Sequence, residues 1–118
     1  MAGIGGNLTG TIQAKTAQGK NALAEVKHKW TDKVSVDGWL DMMSGDSNFS
    51  TYNAHIAEST HVFLCDYDAE VYALKDEQQS QRMIINGIVY DVKYIDNPME
   101  LNEHLEIFLK RIGAYNGE

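Results

Sequence analysis

The four histidines of this chain are the residues that could ligate a metal ion. Structural zinc sites need closely spaced pairs of cysteine or histidine, and many catalytic ones place two histidines one helical turn apart. The sequence contains a single cysteine, and its histidines are scattered without such spacing. We therefore expect neither a metal nor another cofactor, and we interpret the histidines as ordinary polar residues: His28, His55, His61 and His104.

Three short motifs could support other chemistry, and each lacks an essential part. Cys65 ends an apolar run, and the adjacent Asp66 would raise its pKa, whereas a catalytic thiol needs an electropositive environment. Residues 66–70 are acidic but lack the position-6 glycine and the distal glutamate of an EF-hand. Residues 3–6 follow no strand and precede no lysine, so they do not form a phosphate-binding loop. Because no set of nucleophile, base and orienting group is visible, we predict that the chain is not an enzyme.

The composition is that of a globular chain with an acidic balance. With 118 residues, 43% of them hydrophobic, we expect one domain over residues 1–118. Seventeen acidic against ten basic residues give a formal charge of −7, which argues against a groove that tracks nucleic-acid phosphates. The single cysteine fits a reducing compartment, and no apolar run approaches the roughly 18 residues that would span a membrane. We expect a protein that is cytosolic at synthesis.

The strongest structural signal is the dipeptide Asn86-Gly87 between two runs of β-forming residues. Both central residues of a type I′ turn need a positive φ, which Asn and Gly tolerate best. This turn sets the register of a hairpin, with these opposite pairs: Ile85 with Ile88, Ile84 with Val89, Met83 with Tyr90, and Arg82 with Asp91. One face of the hairpin then collects five residues: Met83, Ile85, Ile88, Tyr90 and Val92.

Other segments have β patterns, and two remain ambiguous. Further strands are predicted over residues 8–13, 33–42 and 60–66. Gly38 marks a bulge or a close approach of backbone in the second of these. Residues 21–30 fit a helix or an edge strand. Residues 101–112 fit a helix by their apolar stripe or a strand by alternation, and periodicity slightly favours the helix.

An N-terminal arm and three connections are expected around these elements. Residues 1–7 are glycine-rich and indicate a flexible arm, and residues 16–21 indicate a polar loop. The longest connection covers residues 44–58, and a structureless loop of that length is usually functional or disordered. Residues 67–80 indicate a second, acidic loop. Two apolar residues on the long loop could either anchor in a neighbouring subunit or pack on their own core: Phe49 and Tyr52.

Five segments carry a family likeness, namely residues 38–45, 58–66, 82–92, 95–99 and 105–109. They resemble the small head–tail connector proteins of long-tailed bacteriophages, in particular the head-closure group, also called stoppers or head–tail adaptors. The likeness extends over residues 30–113. Its most specific part is the hairpin, with the pattern Asn-Gly-x-x-Tyr-x-Val.

This resemblance implies a mainly β fold: a small barrel or sandwich of about six antiparallel strands with long loops and a flexible N-terminal arm. It implies that residues 105–112 form a strand. It also implies that the protein assembles as a ring of about twelve copies. The loop at 44–58 would project toward the channel or a neighbouring subunit, through Asp46, Asn48, Phe49, Tyr52 and His55. The hairpin scaffold would consist of Arg82, Asn86, Gly87, Tyr90 and Asp91.

The resemblance also implies a set of partners. The ring would lie in the virion neck, after assembly from the host cytoplasm, between a portal-bound adaptor protein and a tail-completion or terminator protein. Genomic DNA would pass through its channel without sequence-specific binding, and no membrane is involved. An acidic lumen would let DNA slide, although the charge could equally serve solubility alone. Two alternatives stay open: a tail-completion or tail-terminator ring of the same connector, and a small monomeric β-barrel binding module.

Overall fold

The computed structural model describes residues 3–20, 23, 26–43 and 58–117. Over these residues the chain forms six strands, one short α-helix and two 3₁₀ helices. The strands are β1 (Leu8–Lys20), β2 (Val26–Met42), β3 (His61–Asp66), β4 (Gln81–Ile85), β5 (Ile88–Asp96) and β6 (His104–Ala114). The helix α1 spans Ala69–Ala73, and the 3₁₀ helices span Leu74–Asp76 and Pro98–Glu100.

The six strands close into an antiparallel barrel in the order β1-β2-β3-β6-β5-β4. The barrel closes where β1 pairs with β4, with Gly10 opposite Ile85 and Ala14 opposite Gln81. Each strand of a closed barrel has a hydrogen-bonded neighbour on both sides, which satisfies its backbone polar groups without exposing a sheet edge. The prediction of a mainly β fold with six antiparallel strands is confirmed.

The core of the barrel is built by alternate residues of its strands. Side chains on a strand point to opposite faces in turn, so an apolar residue at every second position lines the interior. The largest fully buried side chains come from β1, β3, β4, β6 and the helix: Ile12, Phe63, Met83, Ile85, Leu105, Ile107, Leu109, Val71 and Cys65. The apolar hairpin face predicted from the sequence belongs to this core or packs against it.

The first two strands are much longer than the barrel wall. β1 pairs with β4 only as far as Ala14, and β2 pairs with β3 from Gly38 onward. Their mutual pairing continues outward to Lys20 opposite Val26. We call residues 15–33 the ribbon. Its described residues, 15–20, 23 and 26–33, extend the β1–β2 hairpin beyond the barrel, in a molecule that measures 52 × 32 × 26 Å.

Gly38 lies where two backbones approach each other closely. A Cβ atom at this position would collide with the carbonyl oxygen of Leu64 and with the ring of Phe63. The predicted close approach is therefore correct. The irregularity in β2 lies elsewhere, because Ile12 pairs with Val34 and Gln13 with Asp32, which leaves Lys33 as the extra residue of a bulge.

Two local expectations were wrong and one ambiguity is resolved, because contacts with distant segments decide the local structure. Residues 16–20 belong to β1 rather than to a polar loop, because β2 pairs with them. The connection 67–80 contains α1 and a 3₁₀ helix, since Val71 and Leu74 are buried on the barrel. Residues 101–112, which periodicity left open between a helix and a strand, follow the family resemblance: residues 104–114 form a strand, because β3 and β5 pair with them on either side.

Candidate subunit-contact surfaces

The predicted hairpin scaffold is observed in the predicted register. Arg82 lies opposite Asp91 and Met83 opposite Tyr90, and the turn residues Asn86 and Gly87 have φ values of 51° and 79°. Tyr90 is buried, and its ring lies edge-on to that of His61, with the centroids 5.2 Å apart. The hairpin is thus one rigid wall of the barrel.

Arg82 joins this wall to the base of the ribbon. Its Nε donates a 2.8 Å hydrogen bond to Oε1 of Gln13, whose Nε2 donates in turn to Oδ1 of Asp32 at 2.8 Å. The glutamine amide therefore bridges a cation and an anion across three strands. The guanidinium carbon also lies 4.3 Å from the ring centroid of Trp30 and 5.6 Å from that of Tyr115. Cation–π stacking on Trp30 therefore connects the base of the ribbon to the barrel wall.

A groove beside this stack separates the ribbon from the C-terminal segment. The segment is fastened to the hairpin turn, because Tyr115 N donates a 2.8 Å hydrogen bond to the carbonyl oxygen of Gly87. The groove is basic and aromatic, and its lining residues are His28, Lys29, Trp30, Arg82, Asn116 and Gly117. Arg82 was predicted from the hairpin pattern in the sequence. Trp30 belongs to this surface because the ribbon places it beside Arg82.

The N-terminal segment, expected as a flexible arm over residues 1–7, is seated on the barrel from residue 3 onward. The backbone N–H groups of Ile4 and Gly5 donate to the two carboxylate oxygens of Asp66, at 2.6 and 3.1 Å. The indole N–H of Trp39 donates to the carbonyl oxygen of Ile4 at 2.9 Å. Asn7 N donates to the carbonyl oxygen of Gly38, which continues the pairing of β1 with β2.

The five predicted loop residues, Asp46, Asn48, Phe49, Tyr52 and His55, lie outside the described residues. The structure does define the base of that loop. Met43 N donates a 2.9 Å hydrogen bond to the carbonyl oxygen of Thr60, so the chain leaves and re-enters the barrel at one point. Thr60 N donates to the carbonyl oxygen of Leu109, and the Thr60 hydroxyl accepts from Arg111 N, which ties this point to β6.

One end of the barrel is strongly acidic. It is formed by residues 66–80 and 96–106, which we call the acidic cap, and which contain nine carboxylates and one lysine. The two segments meet where Tyr67 N donates to the carbonyl oxygen of Glu103 and where Asp66 lies opposite His104. Asp68 caps α1 by accepting hydrogen bonds from Glu70 N and Val71 N. The acidity of residues 66–80 is visible in the sequence, whereas their junction with residues 96–106 depends on the fold.

A turn in the acidic cap exposes two large apolar side chains. Met99 is 87% exposed and Leu101 is 56% exposed. Three residues here have positive φ values without being glycine: Met99 at 54°, Glu100 at 53° and Asn102 at 57°. The buried amide of Asn97 holds this conformation, donating to Oδ1 of Asn102 at 2.8 Å and accepting from Asn102 N at 3.1 Å. Strained backbone of this kind persists where surrounding contacts hold it in place, and it is frequent at functional sites.

Cys65 has the properties of a core residue rather than a nucleophile. It is fully buried, and burial raises the pKa of its thiol to about 12, with further contributions from the charges of Asp68 and Asp66. The pKa of His61 is shifted in the opposite direction. Burial and the nearby Arg111 lower this pKa, while Asp41 partly opposes them. Across the described ranges, no group of three or more potential ligands converges on a metal site, and no helix is long and apolar enough to cross a membrane.

Comparison with known proteins gives one family and one fold. A family model described as phage head completion protein matches residues 7–112. The solution structure of protein SF1141 from Shigella flexneri 2a is similar, with a TM-score of 0.62 and 16% identity over 91% of this chain and 93% of that one. At this identity the likeness concerns the fold. No curated protein matches the chain.

Proposed function

This chain belongs to the phage head completion protein family, and on that premise we propose that it closes the DNA-filled head and joins it to the tail as a ring of identical subunits. Its role is structural, at the completion of a phage head. The observation that carries the proposal is the extent of the family match, which runs from residue 7 to residue 112 and so includes the ribbon and nearly the whole barrel.

The architecture supports a scaffolding role. A closed barrel resists deformation because every strand is hydrogen-bonded on both sides, and it can carry projecting elements without losing its core. Here the elements added to the barrel are the ribbon, which extends beyond it, and the N-terminal segment, which is hydrogen-bonded to Asp66. A subunit that must contact several neighbours needs such separate contact surfaces on one rigid body.

The charge supports a channel through which DNA passes. A formal charge of −7 gives the ring a surface that repels phosphates, so DNA can move without being retained. We propose that the loop of residues 44–58, with Asp46, Asn48, Phe49, Tyr52 and His55, faces this channel or a neighbouring subunit. Because Met43 and Thr60 are hydrogen-bonded at its base, the loop can be shortened there without opening the barrel.

The test is assembly in the absence of the protein. Phage heads made without it should fill with DNA, lose that DNA on dilution and fail to accept tails. Addition of the purified chain should restore nuclease-resistant DNA and infectious particles, and electron microscopy should show a ring of density below the portal. Heads that retain DNA and accept tails without the chain would contradict the proposal. Recovery of the chain on free tails instead of filled heads would indicate a tail-terminator ring.

A loop deletion tests the role of the channel segment separately. Removal of residues 46–52 should leave the melting temperature within a few degrees of wild type, since Met43 N and the carbonyl oxygen of Thr60 are hydrogen-bonded at the base of the loop. The variant should still bind filled heads but should fail to retain DNA or to accept tails. Loss of the folded state would show instead that the loop is part of the scaffold.

A further inference from the structure

The charge of this protein is divided between two surfaces of opposite sign. The ribbon, residues 15–33, holds five of the ten basic residues and two of the seventeen acidic ones, so it carries +3 while the rest of the chain carries −10. The acidic cap, with nine carboxylates and one lysine, carries −8 of that charge. We propose that the ribbon of one subunit docks on the acidic cap of a second copy of this chain.

The ribbon is available for such a contact. Lys15, Lys27 and Lys29 are exposed, as is the neighbouring His28. Between described residues, ion pairs join Lys75 to Asp76, Lys93 to Glu58 and His104 to Glu106, and none of them uses a ribbon lysine. The ribbon also presents apolar surface where β1 connects to β2, because Leu23 is 78% exposed.

The acidic cap lacks enough cations of its own. Asp96 lies directly opposite Glu106 in the β5–β6 pairing, and like charges at such positions are destabilising. Glu106 is 3.7 Å from His104 Nε2, which is a compensating charge only when the histidine is protonated. The exposed carboxylates of the cap add to this repulsion: Glu70, Glu77, Glu100 and Glu103. A cationic partner would relieve it.

The acidic cap also combines apolar and charged side chains in the way that protein contact sites do. Met99 and Leu101 stand out from a turn that Asn97 holds rigid, and Glu100 and Glu103 flank them. Protein interfaces commonly combine an apolar centre with a polar rim, and a preorganised turn loses little entropy on binding. The ribbon offers the matching pattern, with apolar Leu23 between the lysines of its two strands.

A second copy fits both surfaces at once, whereas duplex DNA would fit the ribbon and be repelled by the cap. Because the ribbon and the cap are different surfaces, the contact is heterologous, and its repetition from subunit to subunit generates a ring when the rotation closes. The inference rests on the proposed ring and adds to it the pair of surfaces that form the subunit contact.

Charge exchange on the full-length chain tests the contact. The variant Lys27→Glu/Lys29→Glu should weaken self-association at least tenfold in sedimentation velocity at low salt, and Glu100→Lys/Glu103→Lys should do the same. A mixture of these two variants should associate again, because each supplies the surface that the other reversed. The matched control is Lys110→Glu/Arg111→Glu, which makes an equal charge change at exposed positions of β6 and should associate like wild type. Salt near 1 M should weaken the wild-type contact, since it screens charges beyond about 3 Å.

The outcomes separate this inference from the proposed function. Assembly of the ribbon variant at wild-type strength, on filled heads or in solution, would overturn the ribbon contact and leave the ring intact. A ribbon variant that loses mobility-shift binding of duplex DNA but keeps self-association would assign the ribbon to DNA and overturn the contact. A wild-type chain that stays monomeric both in solution and on filled heads would contradict the ring itself.

Discussion

The guanidinium group of Arg82 lies over the indole ring of Trp30, with its central carbon 4.3 Å from the ring centroid. Arg82 is on the barrel wall and Trp30 is on the ribbon, so this stack joins the ribbon to the barrel wall. Gln13 supports the arrangement by accepting a hydrogen bond from Arg82 Nε while it donates one to Asp32. A buried cation is therefore satisfied by an amide and an aromatic face.

Arg82→Lys should reduce the free energy of unfolding by about 1–2 kcal/mol, although the charge is kept. Lysine has neither the planar group that stacks on Trp30 nor the Nε donor that bonds to Gln13. Thermal unfolding would measure the loss, and tryptophan fluorescence in a Trp39→Phe background would report the environment of Trp30. Lys93→Arg serves as a control at another cation of the barrel. An unchanged Trp30 spectrum would contradict the stack.

Gly87→Val should destabilise the fold by about 1–2 kcal/mol, because a β-branched residue is strained at a φ of 79°. Gly113→Val is the matched control. A Cβ atom would meet no neighbour within 4 Å at either glycine, but only Gly87 has a positive φ. The difference in melting temperature between the two variants therefore isolates the backbone conformation. Equal melting temperatures would refute the turn assignment.

Asp66→Asn should loosen the N-terminal segment while leaving the barrel folded. The carboxylate accepts from both Ile4 N and Gly5 N, whereas a carboxamide has a single acceptor oxygen and must lose one of these bonds. Faster solvent exchange of these two amide protons by NMR, with a changed shift of the Trp39 indole proton, is the expected result. Glu103→Gln, in the same groove, should change neither signal. Unaltered exchange in Asp66→Asn would show that the segment is held by other contacts.

The Cys65 thiol should make the protein less stable at alkaline pH. Its pKa rises from 9.0 to about 12 on folding, so between these values the unfolded chain has released a proton that the folded chain retains. Stability attributable to this group is therefore constant below pH 9 and falls as the pH rises toward 12. Urea titrations from pH 8 to 10.5 should show a steeper decline for wild type than for Cys65→Ala. A thiol that reacts with Ellman's reagent in the folded protein at pH 8 would contradict its burial.

The β-hairpin was predictable because it depends on local information. The turn at Asn86-Gly87 involves consecutive residues, and its positive φ values follow from the two residue types alone. The alternation of apolar and polar residues along β5 and β6 is likewise local, because it records which side chains can face a core. The burial of Cys65 agrees with the apolar run that it ends.

Three features depend on residues that are far apart in the chain: the ribbon, the binding of the N-terminal segment to the barrel, and the acidic cap. Arg82 and Gln13 are separated by 69 positions, and Ile4 and Asp66 by 62. Residues 16–20 are polar enough to form a loop and become a strand because β2 supplies hydrogen-bonding partners. Periodicity left residues 101–112 open because their apolar positions suit both a helix and a strand, and the resemblance to head-closure proteins indicated a strand.

By itself, the sequence determined the β character and the hairpin register, since these follow from residue type and short-range geometry. Only the tertiary structure decided how far β1 and β2 extend, which cations and carboxylates share a surface, and that residues 104–114 pair with β3 on one side and β5 on the other. The physical reason is that strand pairing is non-local. A strand acquires its partners, and a charged surface its composition, when distant segments are brought side by side.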